Sequence, residues 1–379
     1  MTTVCHVFDE SVGWVQRVGV RPLLDSGCRA YPAPRLFAID PAAGEALRPL
    51  GKSVTFSPRR FGLDLLAAPR LGVLLREHGT ELVHAWGIHA AAAVRSALGR
   101  DQPLVISICD PALPPAAVKL LRALLGDARG AVACGSGVVR RRLVEGGAPS
   151  ERCVLLRPAV DFAVINAVRG QSRSALLGAA ADVTVVLLAE PLCAGHDHFE
   201  AFWAVVLRGH LRGGLRVVVP GSSRVAARIA RFATGLPDPG VLLVPPDGTP
   251  FEHLVACADL LVVPARRDLD PTAIAWAMAA GVPIVAAAVP AVAEFIVHKV
   301  NGYLYKPEAG RGLFRVLARL LEDRPEAPRC AEAGRGQAYE MFSARRYVEQ
   351  TWQLYSNVIA GRRPDADIPD PASAATGQC

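Results

Sequence analysis

The residues of this chain best suited to chemistry follow one buried apolar run. That run, Leu260–Val263, ends at Pro264, and a second apolar run begins at Ile284. The segment between the runs carries these charged and hydroxyl side chains: Arg266, Arg267, Asp268, Asp270 and Thr272. Guanidinium groups and the free N–H groups of a helix start can hold phosphate, and carboxylates can accept hydrogen bonds from ligand hydroxyls. The segment is therefore a candidate ligand-binding loop.

The pattern around this loop predicts the order strand, loop, helix, strand. A helix is expected from about Pro271 to Ala280, and Gly281 to Pro283 lead into the second apolar run. In open parallel sheets, ligands bind outside the carboxyl ends of the strands, where a loop enters a helix. The loop 264–272 is such a place. Asp270 before Pro271 is equally typical of an ordinary helix N-cap, and adjacent loop arginines are more typical of a solvated surface.

This segment resembles the donor-binding segment of family 4 glycosyltransferases, which are retaining enzymes of the two-domain GT-B fold. The matching positions are Pro264, Ala265, Asp268, Trp276, Ala277, Met278, Ala279, Gly281, Pro283, Glu294, Asn301 and Gly302. In the family, two acids eight residues apart contact the sugar and ribose hydroxyls of a nucleotide-sugar donor. The resemblance places Asp268 at the first acid and Trp276 at the second. It further implies donor contacts by Asp270, Pro271, Thr272 and Glu294.

The resemblance extends over most of the chain, from about Val4 to Ile359. Glu81–His89 resembles a segment that implies His84 or His89 in the cleft between the domains. Gly13 stands for the family's glycine pair at the donor diphosphate, and Cys109 takes the place of a histidine near the donor. The Arg and Lys that neutralise the leaving diphosphate are missing from 189–195, and losing one such group typically costs roughly 3–4 kcal/mol in the barrier. The candidates to replace them are Arg266 and Arg267, or else His196 and His198 just after this segment.

These residues predict a glycosyltransferase that moves a sugar from a nucleotide-sugar donor to a hydroxyl acceptor with retention. His84, His89 and Asp268 are its predicted catalytic residues, and the family chemistry needs neither metal nor cofactor. The substitutions at motif positions favour an alternative, a catalytically impaired GT-B homologue that acts as a binding or partner subunit. A nucleotide-sugar epimerase is a third hypothesis, against which the missing GxGxxG after the first strand argues. Trp276 is expected to fill the space of the second acid, or else to stack on a base.

Composition limits the class of protein. The chain has 379 residues, 51% of them hydrophobic, and is long enough for two α/β domains. Its nine cysteines lack the paired spacing of a zinc site and are expected to be reduced thiols. No apolar run reaches the ~20 residues that a membrane span needs, and the first residues lack a signal-type pattern. We therefore expect a cytoplasmic protein, with a peripheral contact at the inner membrane face as a further option.

The formal charge of +7 comes almost entirely from arginine and selects no single partner. The run Arg140–Arg142 in a predicted helix is typical of a solvated face, or else of a membrane-surface or acceptor-binding patch. No interleaved aromatics indicate nucleic acid. The expected partners are a nucleotide-sugar donor and a carbohydrate or lipid-linked acceptor.

Alternation of apolar runs with helical stretches predicts two Rossmann-like, doubly wound domains. The resemblance implies that they face each other across a cleft, with the acceptor domain at 1–165, joined by a returning C-terminal helix at 344–361, and the donor domain at 180–340. Residues 362–379 are rich in Pro and Ala and predict a disordered tail.

Overall fold

The chain divides into two compact units. The computed structural model describes residues 2–9, 21–25, 34–39, 43, 47, 54–56, 67–109, 112–125, 129–168, 176–178, 183–188, 196–212, 214–220, 224–246, 249–264, 271–307, 311–322, 326–366 and 368. Unit 1 comprises Met1–Ala159 with Ala344–Cys379, and unit 2 comprises Val160–Ser343.

Unit 1 is built on a parallel sheet of seven strands. The strands are β1 Val4–Phe8, β2 Arg35–Ala38, β3 Val54–Phe56, β4 Leu82–Trp86, β5 Leu104–Ile108, β6 Gly130–Cys134 and β7 Cys153–Leu155. Their order is β3-β2-β1-β4-β5-β6-β7. The helices described between them are α1 Arg21–Asp25, α2 Ala67–Glu77, α3 Ile88–Leu98, α4 Pro115–Leu125 and α5 Gly137–Glu145. Every residue of β4, β5 and β6 is buried, as expected for strands covered on both faces.

Unit 2 repeats this architecture with a parallel sheet of six strands. The strands are β8 Thr184–Leu188, β9 Leu215–Val218, β10 Leu242–Leu243, β11 Leu260–Val263, β12 Ile284–Ala287 and β13 Tyr303–Tyr305. Their order is β10-β9-β8-β11-β12-β13. The helices described are α6 Phe162–Val168, α7 His196–Arg212, α8 Arg224–Ala233, α9 Phe251–Cys257, α10 Thr272–Ala280, α11 Pro290–Ala293, α12 Gly312–Glu322 and α13 Glu326–Phe342. The predicted pair of doubly wound α/β sheets is confirmed.

The last helix, α14 (Ala344–Ile359), follows unit 2 in sequence but packs in unit 1. Its buried face repeats at helical spacing and carries Tyr347, Thr351, Tyr355 and Val358. Tyr355 and Val358 share one core cluster with residues of β1 and β4. The helix is therefore an integral part of the unit 1 core.

The segment after α14 begins as a structured turn, so the predicted disordered tail is wrong for its first residues. The fully buried Asn357 donates from Nδ2 to the carbonyls of Pro364 and Ala366, at 3.2 and 2.8 Å. Ile368 packs against the unit 1 core. Hydrogen bonds from α14 thus fix the turn, which its Pro- and Ala-rich composition could not indicate.

No helix in the described part of the chain is both long and apolar enough to cross a membrane.

Candidate functional site

The sheet of unit 2 has its topological switch point between β8 and β11. From β8 the chain builds β9 and β10 on one side, and from β11 it builds β12 and β13 on the other. The loops that leave the carboxyl ends of β8 and β11 therefore diverge, and open α/β sheets bind ligands in the crevice between such loops. The loop after β11 is the predicted binding loop, residues 264–272.

The structure describes the two ends of this loop. The predicted site residues in its middle, Arg266, Arg267, Asp268 and Asp270, lie outside the described residues. Pro264 is buried directly after β11, and Pro271 is the N-cap residue of α10. The N–H of Ala275 donates to the Pro271 carbonyl at 3.0 Å, which closes the first turn of the helix. The loop thus runs from a buried strand end into a helix start.

Thr272 is the first residue of α10 and is 9% exposed. Pro271, as the N-cap residue, makes no side-chain cap hydrogen bond. Backbone N–H groups at a helix start carry a partial positive charge and can bind an anion. Pro271 and Thr272 therefore lie where the sequence placed them, at the carboxyl edge of the sheet beside the switch point.

Trp276 lies one turn further along α10, and its side chain is packed in the unit 2 core. All nine residues of the helix are buried, and Trp276 is 3% exposed. It belongs to the same core cluster as Phe251 and Val255 of α9. Its indole Nε1 has no hydrogen-bond partner among the described residues. This burial favours the packing interpretation of Trp276 over stacking on a base.

Glu294 lies at the same edge of the sheet, after the neighbouring strand β12. It follows helix α11, has αR backbone angles and is half-buried. Parallel pairing of β11 with β12 joins Val263 to Ala286, so the segments that contain Thr272 and Glu294 leave adjacent strand ends. Both predicted contacts are thus on the carboxyl edge of one sheet.

The segment after Glu294 is held by Asn301, which is 2% exposed. The Asn301 Oδ1 accepts from the Val297 N–H at 2.7 Å, and Nδ2 donates to the Phe295 carbonyl at 2.8 Å and to Gln337. These bonds connect the segment to α13. Asn301 is therefore a positioning residue, a role that its place in the Asn-Gly motif did not specify.

Unit 1 has its own switch point, between β1 and β4. Gly13, predicted at the donor phosphates, lies outside the described residues after β1. His89 is exposed in the first turn of α3, which follows β4. The neighbouring Ala90 N–H donates to the Asp9 Oδ2 at 3.1 Å. The structure therefore places the predicted His89 at an accessible position on the carboxyl edge of this sheet.

Asp9 is a site-forming residue that the sequence reasoning missed. It is 3% exposed, directly after β1, and its carboxylate lies against Gly87. Gly87 has φ of 105°, and a Cβ there would stand 2.2 Å from the Asp9 Oδ2. Only glycine leaves room for this carboxylate at the start of α3. The signal in the sequence was an acid at one strand end and a glycine at the next.

His84 does not have the accessible position that a catalytic role needs, and we correct that assignment. It is fully buried on β4. Its Nδ1 lies 2.6 Å from the Tyr355 hydroxyl of α14, and its Nε2 lies 2.7 Å from the Ser107 hydroxyl of β5. Burial holds the pKa of His84 well below its usual value, with a smaller contribution from His6. Both ring nitrogens are thus engaged within the core.

The direction of each hydrogen bond in this core cluster follows from the indole of Trp86, which can only donate. Trp86 Nε1 donates to His6 Nδ1 at 3.1 Å, so the neutral His6 carries its proton on Nε2, which lies 3.2 Å from the Tyr355 hydroxyl. Burial lowers the pKa of His6 to about 3. Tyr355 then donates to His84 Nδ1, and His84 donates from Nε2 to Ser107. The five side chains, which we call the histidine cluster, form one ordered chain of hydrogen bonds.

Cys109 is 7% exposed at the carboxyl end of β5. Its Sγ would lie 2.5 Å from a Cβ added at Gly135, so the thiol packs against the backbone at the end of β6. This contact favours a structural role. Among the described residues, no group of three or more His, Cys, Asp or Glu side chains is arranged to hold a metal ion.

Two family models match long stretches of the chain. The model for glycosyltransferase family 4 matches residues 23–164, and the model for glycosyl transferases group 1 matches residues 247–337. A curated relative, N-acetyl-alpha-D-glucosaminyl L-malate synthase of Bacillus anthracis, is 28% identical over 107 residues. That alignment spans 28% of this chain and 28% of the relative.

Solved structures resemble the whole fold. HepE of Anabaena, crystallised with UDP and glucose, superposes with a TM-score of 0.77 at 18% identity. The superposition covers 94% of this chain and 100% of the HepE chain. A glycosyltransferase of Rickettsia africae superposes with a TM-score of 0.78 at 13% identity and covers 94% of this chain and 98% of its own. At these identities the likeness shows a shared fold.

Proposed function

We propose that this chain, which belongs to the family 4 glycosyltransferases and has the GT-B fold, transfers a sugar from a nucleotide-sugar donor to a hydroxyl group with retention. The observation that carries the proposal is the arrangement of both sheets. In each unit, predicted contact residues follow strands that meet at the topological switch point. The two family models are both of transferases, which favours transfer over the epimerase hypothesis.

Unit 2 is the proposed donor domain. The start of α10 offers N–H groups to the anionic part of the donor, and Arg266 and Arg267 are proposed to add positive charge there. Asp268, Asp270 and Thr272 are proposed to bind sugar hydroxyls, with Glu294 on the far side of the loop. HepE has been crystallised with UDP and with UDP-glucose, so these two ligands are the first to test.

Unit 1 is the proposed acceptor domain. His89 is exposed beside the capped start of α3 and can hydrogen-bond an acceptor hydroxyl or a departing phosphate. Gly13 is proposed to allow the diphosphate to approach the backbone. The acceptor class is a carbohydrate or a lipid-linked carbohydrate, and a cytoplasmic location with peripheral membrane contact fits such an acceptor.

Retention follows if the acceptor hydroxyl attacks from the face that the diphosphate leaves, with the departing phosphate taking the hydroxyl proton. Incubation with UDP-glucose and candidate acceptors, followed by NMR of the product's anomeric proton, tests this step. A product of inverted configuration would refute the retaining mechanism while leaving transfer intact.

The second candidate function is a catalytically impaired homologue that serves as a binding or partner subunit. Trp276 favours it, because an indole packed in the core stands where the family has an acid that contacts ribose. Cys109 also favours it, since a buried thiol replaces a histidine near the donor. Absence of transfer and of donor hydrolysis, with the fold intact, would select this function.

Replacing Asp268 or Asp270 with alanine is expected to weaken UDP-glucose binding by about 2- to 12-fold each. The range corresponds to roughly 0.5–1.5 kcal/mol for one lost hydrogen bond to a sugar hydroxyl. Isothermal titration calorimetry measures the change, and UDP alone should lose less affinity because it lacks the sugar. Asp101→Ala, which removes an exposed carboxylate from unit 1, is the matched control. Unchanged affinity in both loop variants would place the sugar elsewhere.

Replacing Trp276 with phenylalanine is expected to leave UDP affinity within about twofold of the parent. Phenylalanine keeps a smaller aromatic ring in the core and removes the Nε1–H, which has no partner among the described residues. Calorimetric titration with UDP measures the effect, and circular dichroism confirms folding. A loss above fivefold would mean that the indole N–H donates to the nucleotide, which would contradict the packing interpretation.

A further inference from the structure

An exposed group of apolar side chains lies on the outer helices of unit 2. Trp203 and Leu207 of α7 are 44% and 41% exposed, and Phe232 of α8 is 39% exposed. The rings of Trp203 and Phe232 meet edge to face with centroids 5.7 Å apart, and Phe232 meets Phe199 in the same way at 5.0 Å. We call these four residues the aromatic patch. Exposed apolar groups that form a continuous surface usually mark an interaction site.

A pocket of about 410 Å³ opens beside the aromatic patch. Trp203 and Leu207 form one wall, and Leu236, Pro237 and Val241 form the other. The pocket also touches the start of β9, and its second wall precedes β10, so it lies at the amino ends of the strands. The candidate donor loop is at the carboxyl ends. This mostly apolar pocket, whose lining also includes His210, Arg216 and Asp238, is therefore a separate place, and its volume is within the range of ligand sites.

Positive charge borders the aromatic patch. Helix α8, Arg224–Ala233, contains three arginines and no acidic residue. Ile229 and Ala233 are buried, while Arg228 and Arg231 are exposed, so the helix is amphipathic with a basic outer face. The Arg228 guanidinium carbon lies 5.3 Å from the ring centroid of Phe199, which joins the basic face to the patch. Basic amphipathic helices that carry Phe or Trp at their margin are typical of membrane surfaces.

We propose that the aromatic patch docks unit 2 on an anionic phospholipid bilayer and that the adjoining pocket receives an acyl chain. Trp203, Leu207 and Phe232 enter the interfacial region, where aromatic side chains are favoured, and Arg228 and Arg231 interact with headgroup phosphates. The charge of α8 selects an anionic surface over a neutral apolar partner. This inference does not depend on the proposed transfer reaction, because membrane binding is measured without a donor.

The first test is co-sedimentation with vesicles of phosphatidylglycerol and phosphatidylcholine. The parent protein is expected to bind these vesicles, and Trp203→Asp to reduce binding at least tenfold. Val73→Asp is the matched control, since Val73 is 48% exposed on α2 of unit 1. Equal binding by the parent and Trp203→Asp, or no binding by the parent, would overturn the proposal.

The contribution of charge is tested with Arg228→Gln/Arg231→Gln. About 1 kcal/mol per arginine near an anionic surface corresponds to roughly fivefold each, so the pair should weaken binding about 30-fold. Lys119→Gln/Arg122→Gln removes two exposed cations at the same spacing from α4 of unit 1 and should change binding less than threefold. If both double variants lost the same vesicle affinity, the attraction would be non-specific, and the proposed docking surface would be refuted.

The insertion of Trp203 into the bilayer is tested with phospholipids brominated on the acyl chains, which quench tryptophan fluorescence at short range. The parent should be quenched, while Trp203→Phe should bind vesicles normally and lose most of the quenching. Retained quenching in Trp203→Phe would place another surface in the membrane. Sedimentation without lipid tests the alternative that the aromatic patch binds a second copy of the chain. If the parent protein is a dimer that does not bind vesicles, and Trp203→Asp dissociates that dimer, the patch is a dimer interface.

Discussion

Replacing Tyr355 with phenylalanine is expected to lower the free energy of unfolding of unit 1 by about 2–6 kcal/mol. The hydroxyl lies between His84 Nδ1 and His6 Nε2, at 2.6 and 3.2 Å, in a fully buried site. Without it, one buried donor and one buried acceptor lose their partners, and each unsatisfied group costs roughly 1–3 kcal/mol. Urea denaturation, followed by hydrogen exchange of peptides from β4 and β5, measures the loss within unit 1.

Tyr339→Phe is the matched control for this change. Tyr339 is 46% exposed on α13, and its ring stacks on Phe162 with centroids 4.0 Å apart. Its hydroxyl can be hydrated, so removing it should change stability by less than about 0.5 kcal/mol. If Tyr355→Phe were as mild as this control, the histidine cluster would not be the ordered chain of hydrogen bonds that the distances indicate.

The location of His84 shows what the sequence could not provide. A histidine at the end of an apolar run, within a segment resembling an active-site motif, has the local pattern of a catalytic residue. Its environment is set by Tyr355, which is 271 residues away in sequence on a helix that returns from unit 2. Only the tertiary fold brings the two side chains together. His89, which follows the same strand at an exposed helix start, depends on local structure alone.

The central strands could be predicted because parallel sheets covered on both faces read as continuous apolar runs. The expected run Leu260–Val263 matches β11 residue for residue. Strand β13 (Tyr303–Tyr305) was not predicted. It has three residues at the sheet edge, two of them only partly buried, and leaves too short a pattern to detect.

The place of the donor loop was predictable for a different reason. The order strand, loop, helix fixes which end of a parallel sheet a loop occupies, whatever its side chains are. This order did not determine the surroundings of the Trp276 side chain, because the same helix position can face a ligand or the core. Burial of all nine residues of α10 shows that here the side chain is packed in the core.

Acid is expected to destabilise unit 1 through the buried histidines. Burial lowers the pKa of folded His6 to about 3, whereas an unfolded histidine has a pKa of about 6.5. Above pH 6.5 both states are neutral and the stability contribution is complete. As the pH falls from 6.5 towards 3, His6 is protonated in the unfolded state but stays neutral in the folded state. The free energy of unfolding therefore falls by about 1.4 kcal/mol per pH unit. His6 alone should remove about 2 kcal/mol by pH 5, and His84, whose pKa is lowered in the same direction, adds to the loss.

Urea denaturation of unit 1 at pH 7.5, 6.5, 5.5 and 5.0 measures the slope of the unfolding free energy against pH. His6→Gln should start less stable but show a shallower slope, because it removes the buried group whose pKa is lowered. A flat profile for the parent between pH 7 and 5 would mean that the histidines are protonated in the folded state, and the direction of hydrogen bonds assigned to the histidine cluster would then be wrong.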